Sequence, residues 1–423
     1  MSIRGTSNGT RRARTGRPFV ITLAFASMFA VSGCDRMLDV DNESEILDQD
    51  LNTAQAIAPV VAGVAGDFGA MYSQTASAVA IAAFELWHTG SFPSSRQTDD
   101  GFLRRPSADG NTGYNSLARA YWVAQDAQRR IREAYEDADS RAEMAQVIVW
   151  GGYTLHFLAD NWCEATFNAG PPVSAAEVRK MAEADFTRAI AVATAAKSDL
   201  WRLRAIAGRA RARLFLADNA GAIADAKLIP TGFVFNFNYS GNSAREYNYY
   251  AGFTRNRYRR EAGIHPRFFQ DPRYLNDPRT KMKDWGPNAV GPDAIRRWFE
   301  QEKYLDRDSD MAVSSWQEVR LIEAEAEMGL SNLARTVALI NEVRAAAGLA
   351  PYTGALTNAA VLAQLRYERS AELWLQGQSL FDLRRFNDPS LDVPPGQGGG
   401  STRDKCFEIG QREYETNPNL GGK

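Results

Sequence analysis

WRLRAIAGRARARLFLADNAGAIADAKLI (201–229) decides the fold class. Ala and Gly recur on one face around Leu214 and Leu216, and small side chains there let two helices approach closely. Asp218-Asn219 breaks the run, and a second Ala-rich stretch follows, so the segment reads as a helical hairpin. A second pair lies at Trp316 to Met328 and Leu333 to Ala346, broken by Gly329 and closed by Gly348. Upstream, Leu117, Tyr121, Ala124, Ile131 and Tyr135 make the stripe of an amphipathic helix. Met144 to Leu158 is more apolar all round, as a buried helix is. Ser174 and Glu177 form a capping box ahead of Val178, Met181, Phe186, Ile190 and Ala193. Two further helical segments run to about Phe386.

The paired helices resemble degenerate tetratricopeptide units. Between them the chain changes character. Phe233, Phe235, Phe237 and Tyr239 alternate with Val234, Asn236 and Asn238, which is strand periodicity, and Gly241-Asn242 follows as a turn. From Tyr247 to Tyr304, aromatics, prolines and arginines crowd together without a period, the pattern of long ordered loops. Pro394-Pro395-Gly396 to Gly400 is another loop. The Gly63, Gly66 and Gly69 series reads as close helix packing. The expected body is one mainly α unit over 51–423, with a few short strands and an irregular insertion at about 230–310.

At 423 residues, 44% hydrophobic and 24% charged, the chain has material for a large core and is not disordered. A net charge of −2 argues against nucleic-acid binding, which draws on a basic surplus. His88, His156 and His265 are isolated, and no H-E-x-x-H, G-x-S-x-G, Walker loop or strand-led G-x-G-x-x-G occurs, so neither a metal nor a cofactor is expected.

The N-terminus places the protein. Arg4, Arg11, Arg12, Arg14 and Arg17 precede an apolar run from Phe19 to Val31, and small residues lead to Cys34. That is the layout of a secretory signal over 1–33. The run is too short to span, rising only ~20 Å against a ~30 Å hydrocarbon core. Val31-Ser32-Gly33-Cys34 resembles the bacterial lipobox, in which the cysteine becomes the lipidated N-terminus. The chain from Cys34 onward carries 44 basic and 51 acidic residues, net −7. Residues 34–50 form an acidic tether (Asp35, Asp39, Asp41, Glu43, Glu45). They are either a solvated spacer or a tract that resembles the surface-export signal of Bacteroidetes-type lipoproteins.

An exported protein sits where disulfides persist. Cys163 and Cys406 are either a bridge tying mid-chain to C-terminus or two separate buried thiols; neither has a His at triad spacing.

The C-terminal third is specific. SWQEVRLIEAEAEMG (315–329), ALINEVRAAAGL (338–349), YERSAELWLQGQSLFDLRRF (367–386) and CFEIGQREYETNPN (406–419) resemble, in order and spacing, the SusD/RagB lipoproteins. The matching positions are Arg320, Glu323 and Glu325; Asn341, Arg344 and Gly348; Glu368, Arg369 and Glu372; Asp382, Arg384 and Arg385; and Asn417-Pro418-Asn419. Gln376-Gly377-Gln378 stands where the family often has Glu-Gly-x-Arg, and 255–310 aligns with nothing in it. Read from their chemistry, the carboxylates and guanidiniums of these motifs lock helices into register rather than catalyse.

The resemblance implies a lipid-anchored outer-membrane protein, surface-exposed and non-enzymatic, that captures an oligosaccharide or peptide. The captured ligand would pass to a SusC-like TonB-dependent transporter. It also implies a ligand site near the first third of the fold, which maps onto Trp87, His88, Phe92, Arg96 and Asp99. The aromatic loop with Tyr249, Tyr250 and Trp285 is a second candidate. The competing expectations are a tetratricopeptide-like envelope scaffold without a small ligand, and a secreted glycan hydrolase.

Overall fold

The computed structural model describes residues 47–392, apart from Ala244 and Arg257, and residues 403–421. The expected signal, Cys34, most of the acidic tether and the Pro394 to Gly400 loop lie outside the described residues. Asp48–Asn52 forms a 3-10 turn, and Arg130 holds it by donating to the Asp48 carbonyl at 2.9 Å and to Asn52 Oδ1 at 2.9 Å.

Four long helices come first: α1 (Ala54–Ala82), then, after β1 (Leu86–His88) and α2 (Pro93–Asp99), α3 (Ala108–Ala134), α4 (Ala142–Asn161) and, beyond β2 (Glu164–Ala165) and β3 (Val173–Ser174), α5 (Ala175–Ala195). α4 is central. Its residues from Met144 to Asn161 are buried almost without exception, as an all-round apolar helix requires. α1 is long and apolar enough to cross a membrane, yet it packs against α3 and α4 as a core helix. Of its glycines only Gly69 marks close packing: a Cβ there would meet the Phe237 ring at 1.9 Å, whereas Gly63 and Gly66 face open space. The expectation of a three-glycine packing stripe is therefore corrected.

The 201–229 hairpin is α6 (Asp199–Phe215) and α7 (Asn219–Ala226). Asp218, which breaks the run, does so as the N-cap, accepting from the Gly221 N–H at 2.9 Å. Phe186 of α5 is clamped between helices because Gly152 and Gly208 carry no side chain; a Cβ at either would lie within 3 Å of its ring. Ser174 caps α5 through the Glu177 N–H.

β4 (Val234–Phe237) follows, then the aromatic segment, which is less irregular than its sequence suggests. It contains α8 (Tyr249–Thr254), β5 (Ala262–Ile264), α9 (Pro266–Phe269), α10 (Pro272–Leu275), β6 (Met282–Asp284) and β7 (Phe299–Gln301). Tyr250, Phe268, Trp298 and Tyr304 are buried. Aromatics are thus the core of this segment as well as its decoration. β8 (Met311–Ser315) pairs antiparallel with β4 across a bulge at Phe235/Asn236, and Phe235 turns inward while Val234 is exposed.

The second hairpin is α11 (Trp316–Gly329) and α12 (Leu333–Ala346), with Gly348 in the left-handed region at φ +73°. α13 (Asn358–Glu372), α14 (Ser379–Arg385) and α15 (Gln411–Thr416) complete the chain. Arg211 on α6 and Glu318 on α11, both buried, meet at 2.6 Å and join the two hairpins. Cys163 and Cys406 are bonded, with Cα atoms 5.4 Å apart, beside the stacked rings of Trp162 and Phe407.

Candidate functional site

The residues of the C-terminal motifs hold helices together. Arg320 pairs with Glu323 at 2.8 Å and donates to the Ala226 carbonyl of α7. Asn341 accepts the Tyr352 N–H at 2.7 Å, turning the chain after α12. Arg344 reaches Glu368, Arg369 reaches Asp382 at 2.9 Å, and Arg385 pairs with Glu325 and with Asp382. Glu372 lies 3.6 Å from Arg279, and Arg384 donates to the Asp160 carbonyl at 3.0 Å. Asn417 and Asn419 donate to the Gly170 and Ala169 carbonyls. Apart from the exposed Asn419, each of these groups is at least partly buried against protein.

The two loop candidates converge. β1 and β5 pair antiparallel, with Trp87 opposite Gly263, so the 84–100 stretch and the aromatic segment share one surface. Arg296 ties them further by donating to the His88 carbonyl at 2.6 Å and to Asp99. Arg96 lies 3.8 Å from Asp293, and the Asp293 N–H donates to the Thr89 carbonyl at 3.3 Å. Burial pushes the Asp99 carboxyl up, against the pull of Arg296.

Not every candidate faces outward. His88 is buried, and burial together with Arg96 draws its pKa down to about 4, so it is a neutral imidazole whose Nε2 accepts the Phe92 N–H at 3.2 Å. It positions the loop and presents nothing to solvent. Tyr250 is fully buried and stacks on Tyr304, which corrects its reading as a ligand platform. Tyr249 is half-buried, stacked on Phe253, and lines a small pocket with Ser95 and Gln74 rather than joining the Trp285 surface. Trp87 is half-buried against His265 and Phe269, and its Nε1 has no hydrogen-bond partner among the described residues.

Phe92 and Trp285 remain at the surface, each about a third exposed. Trp285 is held rigidly, its Nε1 donating to Glu300 at 2.7 Å and its ring lying along Trp298. Tyr258, absent from the sequence candidates, is wholly exposed next in sequence to Arg259, whose guanidinium lies 5.0 Å over Phe92. The arrangement offers planar apolar faces surrounded by guanidinium and ammonium groups, a surface suited to stacking and hydrogen bonding.

A second surface escaped sequence reasoning. A groove of about 910 Å³ runs between α3, the 166–169 turn and α5, with Trp122 59% exposed on its wall beside Arg119, Gln125 and Asn168. The signal was available: Trp122 stands one position off the apolar stripe that contains Tyr121, so its indole cannot point into the core.

Residues 293–419 match the SusD family model. Among solved structures, a SusD superfamily protein of Parabacteroides distasonis superposes with a TM-score of 0.69 at 14% identity, over 89% of this chain and 99% of that one. A SusD-like carbohydrate-binding protein of Bacteroides fragilis gives 0.63 at 16% identity, over 88% and 99%. One of Bacteroides vulgatus, likewise described as carbohydrate-binding, gives 0.63 at 15%, over 79% and 83%. No curated protein matches the chain.

Proposed function

We propose that this chain is a SusD/RagB-family protein and a non-catalytic glycan-binding lipoprotein of the outer membrane, on the match of residues 293–419 to the SusD family model and the likeness of its fold to solved SusD-superfamily structures. Lipidation at Cys34 anchors it, and the 86–99 and 258–300 surface holds an oligosaccharide; a short peptide is the second ligand class. The bound ligand passes to a SusC-like TonB-dependent transporter.

One observation carries the reading. On a helical scaffold of SusD type, two loop segments far apart in sequence are pinned together so that Phe92, Tyr258 and Trp285 stay at the surface. A packing role alone would bury them. The polar groups around them are fixed by ion pairs before any ligand arrives, which lowers the ordering cost of binding. Two of the solved relatives are described as carbohydrate-binding, which supports the ligand class.

The test is calorimetric titration of the purified full chain with a panel of oligosaccharides. Binding is expected, weakened at least tenfold by Trp285→Ala, with no product formed on long incubation. Absence of binding by a folded sample overturns the reading, and release of shorter saccharides would make the protein a hydrolase. Labelled palmitate incorporated into the wild type and lost in Cys34→Ser tests the anchor. Co-purification with a barrel transporter tests the delivery step.

A further inference from the structure

The charges on this surface are sided. Arg259 is 55% exposed, Arg297 40% and Arg96 37%, whereas Glu261 is 5% exposed, Asp99 9% and Asp293 11%. The guanidiniums therefore stand outward over carboxylates sunk beneath them. Among the described ion pairs of this surface, Asp284, which pairs with Arg297 at 2.7 Å, is the acidic partner that shares its exposure. An ion pair oriented this way is neutral in sum but presents its positive end to solvent.

The aromatic rings carry the same sign. Arg259 lies 5.0 Å over Phe92, Lys283 4.0 Å over Trp285, and Arg296 5.2 Å over Trp87. A neutral sugar approaching these rings must share each with the cation over it and gains little from that cation. A sugar bearing a carboxylate or sulfate gains a charge-assisted contact, and guanidinium geometry suits both groups. The chain as a whole is acidic, so a cationic face is a local construction and not a reflection of composition.

Resting on the glycan-binding reading above, we propose that the ligand is an anionic saccharide, carboxylated or sulfated, read by Arg96, Arg259 and Lys283 around Phe92 and Trp285. Titrations of the full chain with a uronate oligosaccharide, a sulfated one and a neutral glucan of equal length test this, each at about 50 mM and about 300 mM salt. The expected result is tighter binding of an anionic ligand than of the glucan, by about tenfold or more, falling steeply at the higher salt. Which anionic arm binds separates carboxylate from sulfate. Arg259→Gln and Lys283→Gln, both at exposed positions, should each weaken it several-fold, while Arg259→Lys recovers part of the loss.

Equal or tighter binding of the glucan, insensitive to salt, overturns the charge assignment and leaves glycan capture standing. Anionic binding unchanged by both Gln variants overturns it as well. Failure of all three ligands with a folded protein removes the parent reading and this one together.

Discussion

Arg344 on α12 donates to Oε1 of Glu368 on α13 at 2.5 Å, while Arg279, from the aromatic segment, approaches the other oxygen at 2.7 Å. Glu368 is fully buried and Arg279 nearly so. One carboxylate thus joins the C-terminal motifs to the aromatic segment between β4 and β8.

This geometry sets an order of costs. Glu368→Gln takes their shared anion from two guanidiniums, of which Arg279 keeps Asp277 at 2.8 Å, and breaking the buried pair with Arg344 costs about 3–5 kcal/mol. Arg344→Met leaves Glu368 with Arg279 and should cost about 1–3 kcal/mol, the worth of one hydrogen bond to a charged group. Denaturant unfolding of both variants checks the order. A larger loss in Arg344→Met than in Glu368→Gln would contradict the shared-carboxylate account.

The helical scaffold was legible because periodicity is a local property: α4, the N-cap at Ser174 and both hairpins follow from spacing alone, although Glu177 pairs with Lys180 instead of closing a capping box. Ion-pair partners are not local. Glu368 and Arg369 sit beside Arg384 and Arg385 in the sequence motifs, yet Glu368 takes Arg279 and Arg344, and only Arg369 joins Asp382 on that side. The site was half-legible for the same reason. An aromatic in a loop gives no sign of which way its ring turns, so Tyr250 and Trp285 look alike in sequence while one is core and the other surface. Trp122 was readable, since helical phase does fix direction.

Tyr250 provides a sharp check on that distinction. Its hydroxyl is buried with no hydrogen-bond partner among the described residues, so removing it relieves an unmet desolvation cost. Tyr250→Phe should be neutral or stabilising by up to about 1 kcal/mol and leave ligand affinity unchanged. Trp285→Ala should reduce affinity and also lower Tm, since it gives up the Glu300 hydrogen bond and the contact with Trp298. Parallel thermal melts and titrations of the two variants decide; a loss of affinity in Tyr250→Phe would return that residue to the site.

The Cys163–Cys406 bond closes 243 residues, and in the chain-entropy model so long a loop is worth on the order of 5 kcal/mol. It also fastens the terminal segment, where the Cys163 N–H donates to the Phe407 carbonyl at 3.0 Å and the Phe407 N–H to the Asn161 carbonyl at 2.9 Å. Cys163→Ser/Cys406→Ser should lower Tm by several degrees and raise amide exchange at 403–421 before it does so in α4. Uniform exchange along the chain would show that the bond acts on the unfolded state alone.

Glu85 follows α1 and lies wholly inside the fold, where burial raises its pKa from 4.5 to about 7 despite a hydrogen bond from the Leu375 N–H at 3.1 Å. The folded protein therefore holds the proton in a range where the unfolded chain has already lost it. The stability this contributes is complete below pH 4.5, declines as pH rises to about 7, and is gone above that. The span corresponds to on the order of 3 kcal/mol. Glu85→Gln keeps an acceptor for Leu375 and cannot ionise, so its gain over wild type should be near zero at about pH 4 and largest above pH 7. The difference between the two proteins carries the test, because Lys303, drawn down to about 8 by burial, titrates close by and is common to both. Melts at the two pH values measure it directly, and an offset that stays constant between them would mean that Glu85 is ionised in the folded state throughout.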